Sequence, residues 1–184
     1  MALDKWRARL GQIALQKKMN RVQRTKSVVG LNQARTVGVV YDATDRNSYQ
    51  TVLKFIKFLK EERKQVYSLG FVNSKDPNQM LKDQLNDRYI NVKDLNWLAI
   101  PSCRKVDEFL NRDLDLFINL DIREGFPLDC LTKLSKAKYK VGQGKANMKT
   151  DVDLIIDIEQ DKTVDFFIVQ LKHYLKIINT ITHV

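Results

Sequence analysis

Asp42 and Asp45 stand three residues apart, directly after the β-branched run from Thr36 to Tyr41, with Ala43 and Thr44 between them. Two carboxylates at the end of a strand could divide the work of nucleophile and general acid, and doubly wound folds collect ligand-binding groups at such strand ends. The same residue types also cap a following helix. No later strand offers paired aspartates that would hold magnesium, so capping by Thr44 or Asp45 is the expectation, and no catalytic residue, metal or cofactor is assigned. Asp42, Thr44, Asn73, Asp121 and Arg123 fall near predicted strand ends. They form the candidate set for a small ligand, a nucleotide or a phosphorylated sugar.

Gly142, Gln143, Gly144 and Lys145 could bend around a phosphate. They lack the glycine count and the following Ser or Thr of a P-loop, so a turn after a strand is expected. His183 lies in the tail and His173 on an apolar stripe, where a histidine is a packing or interface residue rather than a base. Cys103 and Cys130 match no metal-ligand spacing and fit reduced, buried thiols.

Charge is the more informative chemistry. The first 36 residues carry nine Lys and Arg against one acid, Asp4, which is eight of the ten surplus positive charges in the chain. Between Cys130 and Thr150 come six lysines and no acid, at 133, 136, 138, 140, 145 and 149. Everything else is net acidic. Segregation of this kind marks a surface for a polyanion, since mere solvation would intersperse the signs. The candidate nucleic-acid-binding residues are therefore Lys17, Lys18, Arg21, Arg24 and Lys26, with Lys133, Lys136, Lys138, Lys140, Lys145 and Lys149.

The elements that must position these groups alternate in type. A helix over residues 2 to 26 would place Leu3, Trp6, Leu10, Ile13 and Ala14 on one face, which then continues as Lys17, Arg21 and Arg24. Its first half is expected to dock on the closing helix, and its second half to present cations beside the later lysines. Strands are expected at Thr36–Tyr41, Val66–Val72, Trp97–Ile100, Leu114–Leu120, Tyr139–Val141 and Val152–Ile158. Helices are expected from about Asp45 over 17 residues, from Pro77, from a Ser102 cap to Asn111, over Phe126–Ala137 and over Val164–Asn179. Alternation of strands and helices predicts an α/β fold: a three-layer Rossmann-like sandwich with a mostly parallel sheet, preceded by the basic amphipathic helix. One arm, 1–35, and one domain, 36–184, follow.

The closing helix shows a broad apolar face and a second, narrower stripe of Phe166, Val169, His173 and Ile177. That stripe predicts either a homodimer contact or cover by the N-terminal helix. No run is long enough to span a membrane, and Arg7, Arg9, Lys17 and Lys18 interrupt any secretory h-region, so a cytoplasmic protein is expected. A membrane-surface role for residues 1–26 is a further expectation, weakened by loss of the apolar stripe after Ala14.

The stretches Asp115–Leu120 and Leu134–Gly142, with the segment LSKAKYKVG, resemble a strand-helix-strand stretch in the N-terminal domain of heptosyltransferase-like glycosyltransferases. That resemblance covers about 30 residues and implies fold; the family's donor site lies mainly in a second domain that this chain is too short to contain. The strands GVVYDAT and INLD, with the basic N-terminal helix, resemble a family of short uncharacterised bacterial α/β proteins. The loop at Asp42 resembles that of haloacid-dehalogenase-type phosphatases, whose second acid falls two residues after the first rather than three. Together these readings predict a non-enzymatic RNA- or ribosome-associated protein, with small-ligand binding or a glycosyltransferase-like domain as the alternative.

Overall fold

The computed structural model describes residues 2–76, 81–123, 125–144 and 151–181. Its elements in chain order are α1 (Ala2–Met19), β1 (Thr36–Asp42), α2 (Arg46–Glu61), β2 (Gln65–Val72), β3 (Asp87–Asn91), α3 (Arg104–Leu110), β4 (Leu116–Asn119), α4 (Phe126–Leu134), β5 (Tyr139–Gln143), β6 (Leu154–Ile156) and α5 (Val164–Ile181). The six strands form one sheet in the order β3-β2-β1-β4-β5-β6, and every pairing is parallel. Order 3-2-1-4-5-6 is that of the doubly wound dinucleotide-binding folds, in which the direction of winding reverses between β1 and β4.

Parallel strands covered on both faces read as continuous apolar runs. That is the case for Val37 to Tyr41 and for Leu116 to Ile118, all fully buried but for Gly38's lack of a side chain. Val37, Val39, Tyr41, Leu116 and Ile118 point into one core layer, roofed by α2 and α5 through Val52, Ile56, Phe167 and Leu171. Val40, Leu69 and Phe117 point into the other, roofed by α3 and α4 through Val106, Phe109, Leu128 and Leu131. The alternation of side chains along each strand separates the two layers.

The third strand is not where the sequence places it. Trp97–Ile100 is a loop, pinned by an isolated bridge between Leu95 and Pro101 and with Ala99 at a φ of 60°; the strand is Asp87–Asn91 instead. Its ends are polar yet buried, which hides the strand pattern. Asp87 accepts from the Ser68 hydroxyl (2.9 Å) and the Lys60 ammonium (2.7 Å), and Asn91 caps the short 3-10 turn that follows. The predicted helix from Pro77 begins in residues outside those described. α3 starts at an uncapping Cys103 rather than at Ser102, α1 ends at Met19, and α4 ends at Leu134.

α1 also docks elsewhere than predicted. It lies on α4, as a further layer outside the α3/α4 face, and not on α5. Its buried side is Gly11 and Leu15, packed with Ile100, Cys130 and Leu134 and flanked by Ala14, Met19 and Val22. Gly11 permits the approach: a Cβ there would stand 2.8 Å from the Leu98 carbonyl oxygen. Backbone cannot yield as a side chain can, so any larger residue would lift the helix. Trp6 and Ile13, placed by sequence periodicity on the docking stripe, are 67% and 55% exposed. Helical periodicity identifies faces but does not choose between two of similar hydrophobicity; the glycine makes the choice by allowing the closest contact. The Val169, His173 and Ile177 stripe of α5 stays exposed, uncovered by α1.

Candidate functional site

Residues 20–35 leave α1, pass the amino ends of β4 and β5, and reach the opposite face. Ser27 N–H donates to the Lys138 carbonyl (3.1 Å), and Leu31 N–H donates to that of Leu175 (3.5 Å). Because α1 rests on α4, this path carries the arm's cations alongside the lysines that follow Cys130. The predicted juxtaposition of the two basic segments is therefore present, although the docking partner differs.

Within it the lysines and arginines divide by burial. Lys17 and Lys18 in the last turn of α1, Arg21 just beyond it, and Lys136 in the α4–β5 turn are exposed, and pair with no carboxylate among the described residues. A helix C-terminus favours cations energetically, so Lys17 and Lys18 are stable where they are. Lys26 is 67% exposed, its Nζ 3.7 Å from Asp153. Lys133 stands 3.5 Å from the Asp151 carboxylate, and Lys138 donates to Asp115 at 2.7 Å. Burial would raise the Asp115 carboxyl, but the Lys138 ammonium and the Arg35 and Thr36 amides outweigh it and hold it at about 2. Lys145 and Lys149 lie outside the described residues.

Two predicted phosphate contacts are turned inward. The Arg24 guanidinium is bonded to the Asp153 carboxylate and to the Lys138 carbonyl (3.2 Å), with its side chain only 9% exposed. Lys140 is 3% exposed. It sits at an α4-facing position of β5, and its Nζ donates to the Thr132 and Lys133 carbonyls (2.6 and 3.4 Å). These are end carbonyls of α4, which have no partner within the helix. Burial first, and the Arg24 guanidinium second, pull the Lys140 amine down to about 7, against Asp151 and Asp153. Both cations are structural fasteners. Sequence counting gave every lysine equal weight, whereas burial and the counter-ions Asp115, Asp151 and Asp153, none singled out by sequence, decide which remain available.

The other candidate set gathers at the opposite end of the sheet. Asp42 Oδ2 lies 3.7 Å from Arg123, and with Asp45, Ser48, Leu120 and Ile122 these residues line a shallow cleft where β1 and β4 diverge. Thr44 Oγ1 accepts from Asn73 N–H (2.8 Å), tying the β1–α2 turn to the end of β2. Asp121 is buried and accepts from the amides of Arg123 (2.8 Å) and Gly125 (2.7 Å), so it shapes the β4–α4 turn. Of the two expected caps, Thr44 and Asp45, Asp45 is the one that caps α2, accepting from Ser48 N–H at 2.8 Å. That bond, with Arg123 nearby, depresses its carboxyl. A carboxylate thus occupies the helix N-terminus that dinucleotide-binding folds offer to phosphate. Gly142 and Gln143 belong to β5, and Gly144 N–H continues its bonding to Ile156 (3.1 Å). Among the described residues no group of three or more acids, histidines or cysteines could hold a metal ion, and no helix is long and apolar enough to cross a membrane.

The chain belongs to DUF6913, a family of unknown function, whose model matches residues 7–178. No curated protein and no solved structure matches it.

Proposed function

We propose that this member of a family without an assigned activity is a non-enzymatic polyanion-binding protein of the bacterial cytoplasm, associated with RNA or the ribosome. The observation that carries the reading is the set of Lys17, Lys18, Arg21 and Lys136, exposed and free of carboxylate partners among the described residues, with Lys26 exposed as well. Such cations neutralise phosphates and release counter-ions on binding. About five phosphate contacts give log affinity a slope of about −4 against log salt. Replacing Lys17, Lys18 and Lys136 by Glu one at a time reduces that slope by about one each, at unchanged thermal stability. Filter binding to total RNA, and ribosome sedimentation at low and high salt, read this out. Salt-insensitive binding, or none, rejects the reading.

One observation favours a second reading, a small-ligand or glycosyltransferase-like role: Asp42 and Arg123 meet at the point where the sheet's winding reverses, the usual ligand position of such folds. The partial resemblance to heptosyltransferase-like domains supports it too. Thermal-shift titration with nucleotides and nucleotide sugars tests it, and an unchanged melting temperature at millimolar ligand counts against it.

A further inference from the structure

Arg63 holds a backbone conformation that disfavours an arginine. Its φ is 60°, one of two positive values outside glycine among the described residues. The turn that closes α2 demands it: Arg63 N–H donates to the Lys60 carbonyl and Lys64 N–H to that of Leu59, both at 3.0 Å. Helices closed by this pair of bonds usually carry glycine at the left-handed position, where a Cβ crowds the backbone. Arginine stands there instead, exposed and paired with no carboxylate among the described residues. A side chain that strains the chain and joins no ion pair within it is accounted for by a use outside the fold.

The position of Arg63 indicates that use. It lies two residues before β2, whose start is joined to those of its neighbours. Gln65 N–H donates to the Arg35 carbonyl (2.8 Å), Arg35 N–H donates to Asp115 (2.9 Å), and the Lys138 ammonium bonds the same carboxylate (2.7 Å). One line of contacts thus crosses the amino ends of β2, β1, β4 and β5, which at about 4.8 Å per strand span about 14 Å. Arg35 is also exposed and free of carboxylate partners among the described residues, and Arg112, in the turn before β4, is exposed with its guanidinium 4.0 Å from the centre of the Tyr67 ring. Glu62 and Asp113 are the exposed acids of these turns, against Arg35, Arg63, Arg112 and Lys136. At the opposite end of the sheet, where doubly wound folds receive phosphate, stand the carboxylates of Asp42, Asp45 and Asp121.

We infer that the amino end of the four central strands binds the phosphate backbone of double-helical RNA, with Arg35 and Arg63 carrying the contact from Lys136 across to β2. The inference rests on the polyanion reading and specifies its face and its ligand. Tyr67, the half-buried aromatic of this end, is covered by Arg112, so bases find no platform and recognition falls to charge. A double helix presents two rows of phosphate, about twice the charge per length of either strand, and keeps its bases within the stack.

The test titrates the full chain with poly(A)·poly(U) duplex, with single-stranded poly(U) and with phosphatidylglycerol vesicles at matched salt. The duplex should bind most tightly. Arg35→Gln and Arg63→Gly should each lower its affinity about eightfold at about 0.1 M salt and reduce the salt slope by about one, whereas Arg46→Gln, at the other end of β1, should do neither. Arg63→Gly should at the same time raise the melting temperature by about 2–4 °C, because it relieves the left-handed strain, while Arg63→Lys should keep both the affinity and the lower melting temperature. Opposite signs for stability and binding separate a contact residue from a structural one. Wild-type duplex affinity in Arg35→Gln and Arg63→Gly, with Lys136→Glu still impaired, would overturn this face and leave the polyanion reading standing. Poly(U) or vesicles bound more tightly than the duplex would overturn double-helical RNA as the ligand. Absence of salt-dependent binding to any of the three would remove both readings.

Discussion

Raising the pH from about 7 to about 9 is expected to stabilise the folded protein by about 2–3 kcal/mol, and Lys140→Met is expected to abolish that rise. The cause is a lysine whose amine is held near 7 in the fold and titrates at 10.5 in the unfolded chain. Between those values the unfolded chain binds more protons than the native one, so stability increases with pH. Below 7 both states carry the proton and the full cost of burying the charge is present. The neutral amine has two N–H groups, and the structure provides two acceptors for them, the Thr132 and Lys133 carbonyls.

Above about pH 9 the gain reverses. Burial pushes the Cys130 thiol and the Tyr41 hydroxyl up to about 12 and raises Tyr89 as well, so the unfolded chain releases those protons first. The stability maximum therefore falls near pH 9. Methionine at 140 keeps the length of the side chain and removes its proton, at a constant cost of about 1–3 kcal/mol for the carbonyls it leaves unbonded. The readout is accordingly the slope and not the absolute stability. Urea denaturation of both proteins across the range measures it; a flat wild-type profile between 7 and 9, or an equal rise in the variant, contradicts the assignment.

Asp153→Asn is the second large effect, a loss of about 3 kcal/mol. Its carboxylate bonds the Arg24 guanidinium, accepts from the Lys140 backbone N–H at 2.8 Å, and lies near Lys26. Both members of the Arg24 pair are shielded, at 9% and 15% side-chain exposure. Neutralising the acid leaves Arg24 beside Lys140, with Asp151 as the remaining nearby carboxylate acting on that lysine. A buried charge stripped of its partner costs far more than the pair itself contributes, so Arg24→Leu in the Asp153→Leu background should recover most of the loss. The same pair anchors residues 20–35 across the sheet edge. Limited proteolysis should therefore cut between α1 and β1 faster in Asp153→Asn than in wild type. A variant within about 0.5 kcal/mol of wild type, with unchanged cleavage, would show that the anchor lies elsewhere.

The alternation of strands and helices was readable because β1 and β4 are short apolar runs with turn residues behind them, and because each is followed by a helix with a clear inner stripe. β3 was not readable. Its buried Asp87 and Asn91 look like loop residues until Lys60, Ser68 and Asp94 are seen to satisfy them. Trp97, by contrast, looks like a strand residue until its exposure is known. The basic segments were equally plain in the sequence, but the distinction between a lysine for a ligand and a lysine for the fold was not. Lys138 and Lys140 are two residues apart, the first just before β5 and the second within it: the first is exposed and paired with Asp115, the second buried beneath the end of α4.

The order of residues by itself determined the alternating α/β architecture, a cap for α2 at Thr44 or Asp45 and the excess of positive charge in two segments, since these depend on local periodicity and composition. Tertiary structure decided which face of α1 is buried, which segment forms the third strand of the chain, and which cations still face solvent. Those outcomes depend on groups far apart in the chain: Gly11 against Leu98, Ser68 against Asp87, Arg24 against Asp153. Burial and desolvation act on the assembled surface, and no local pattern records them.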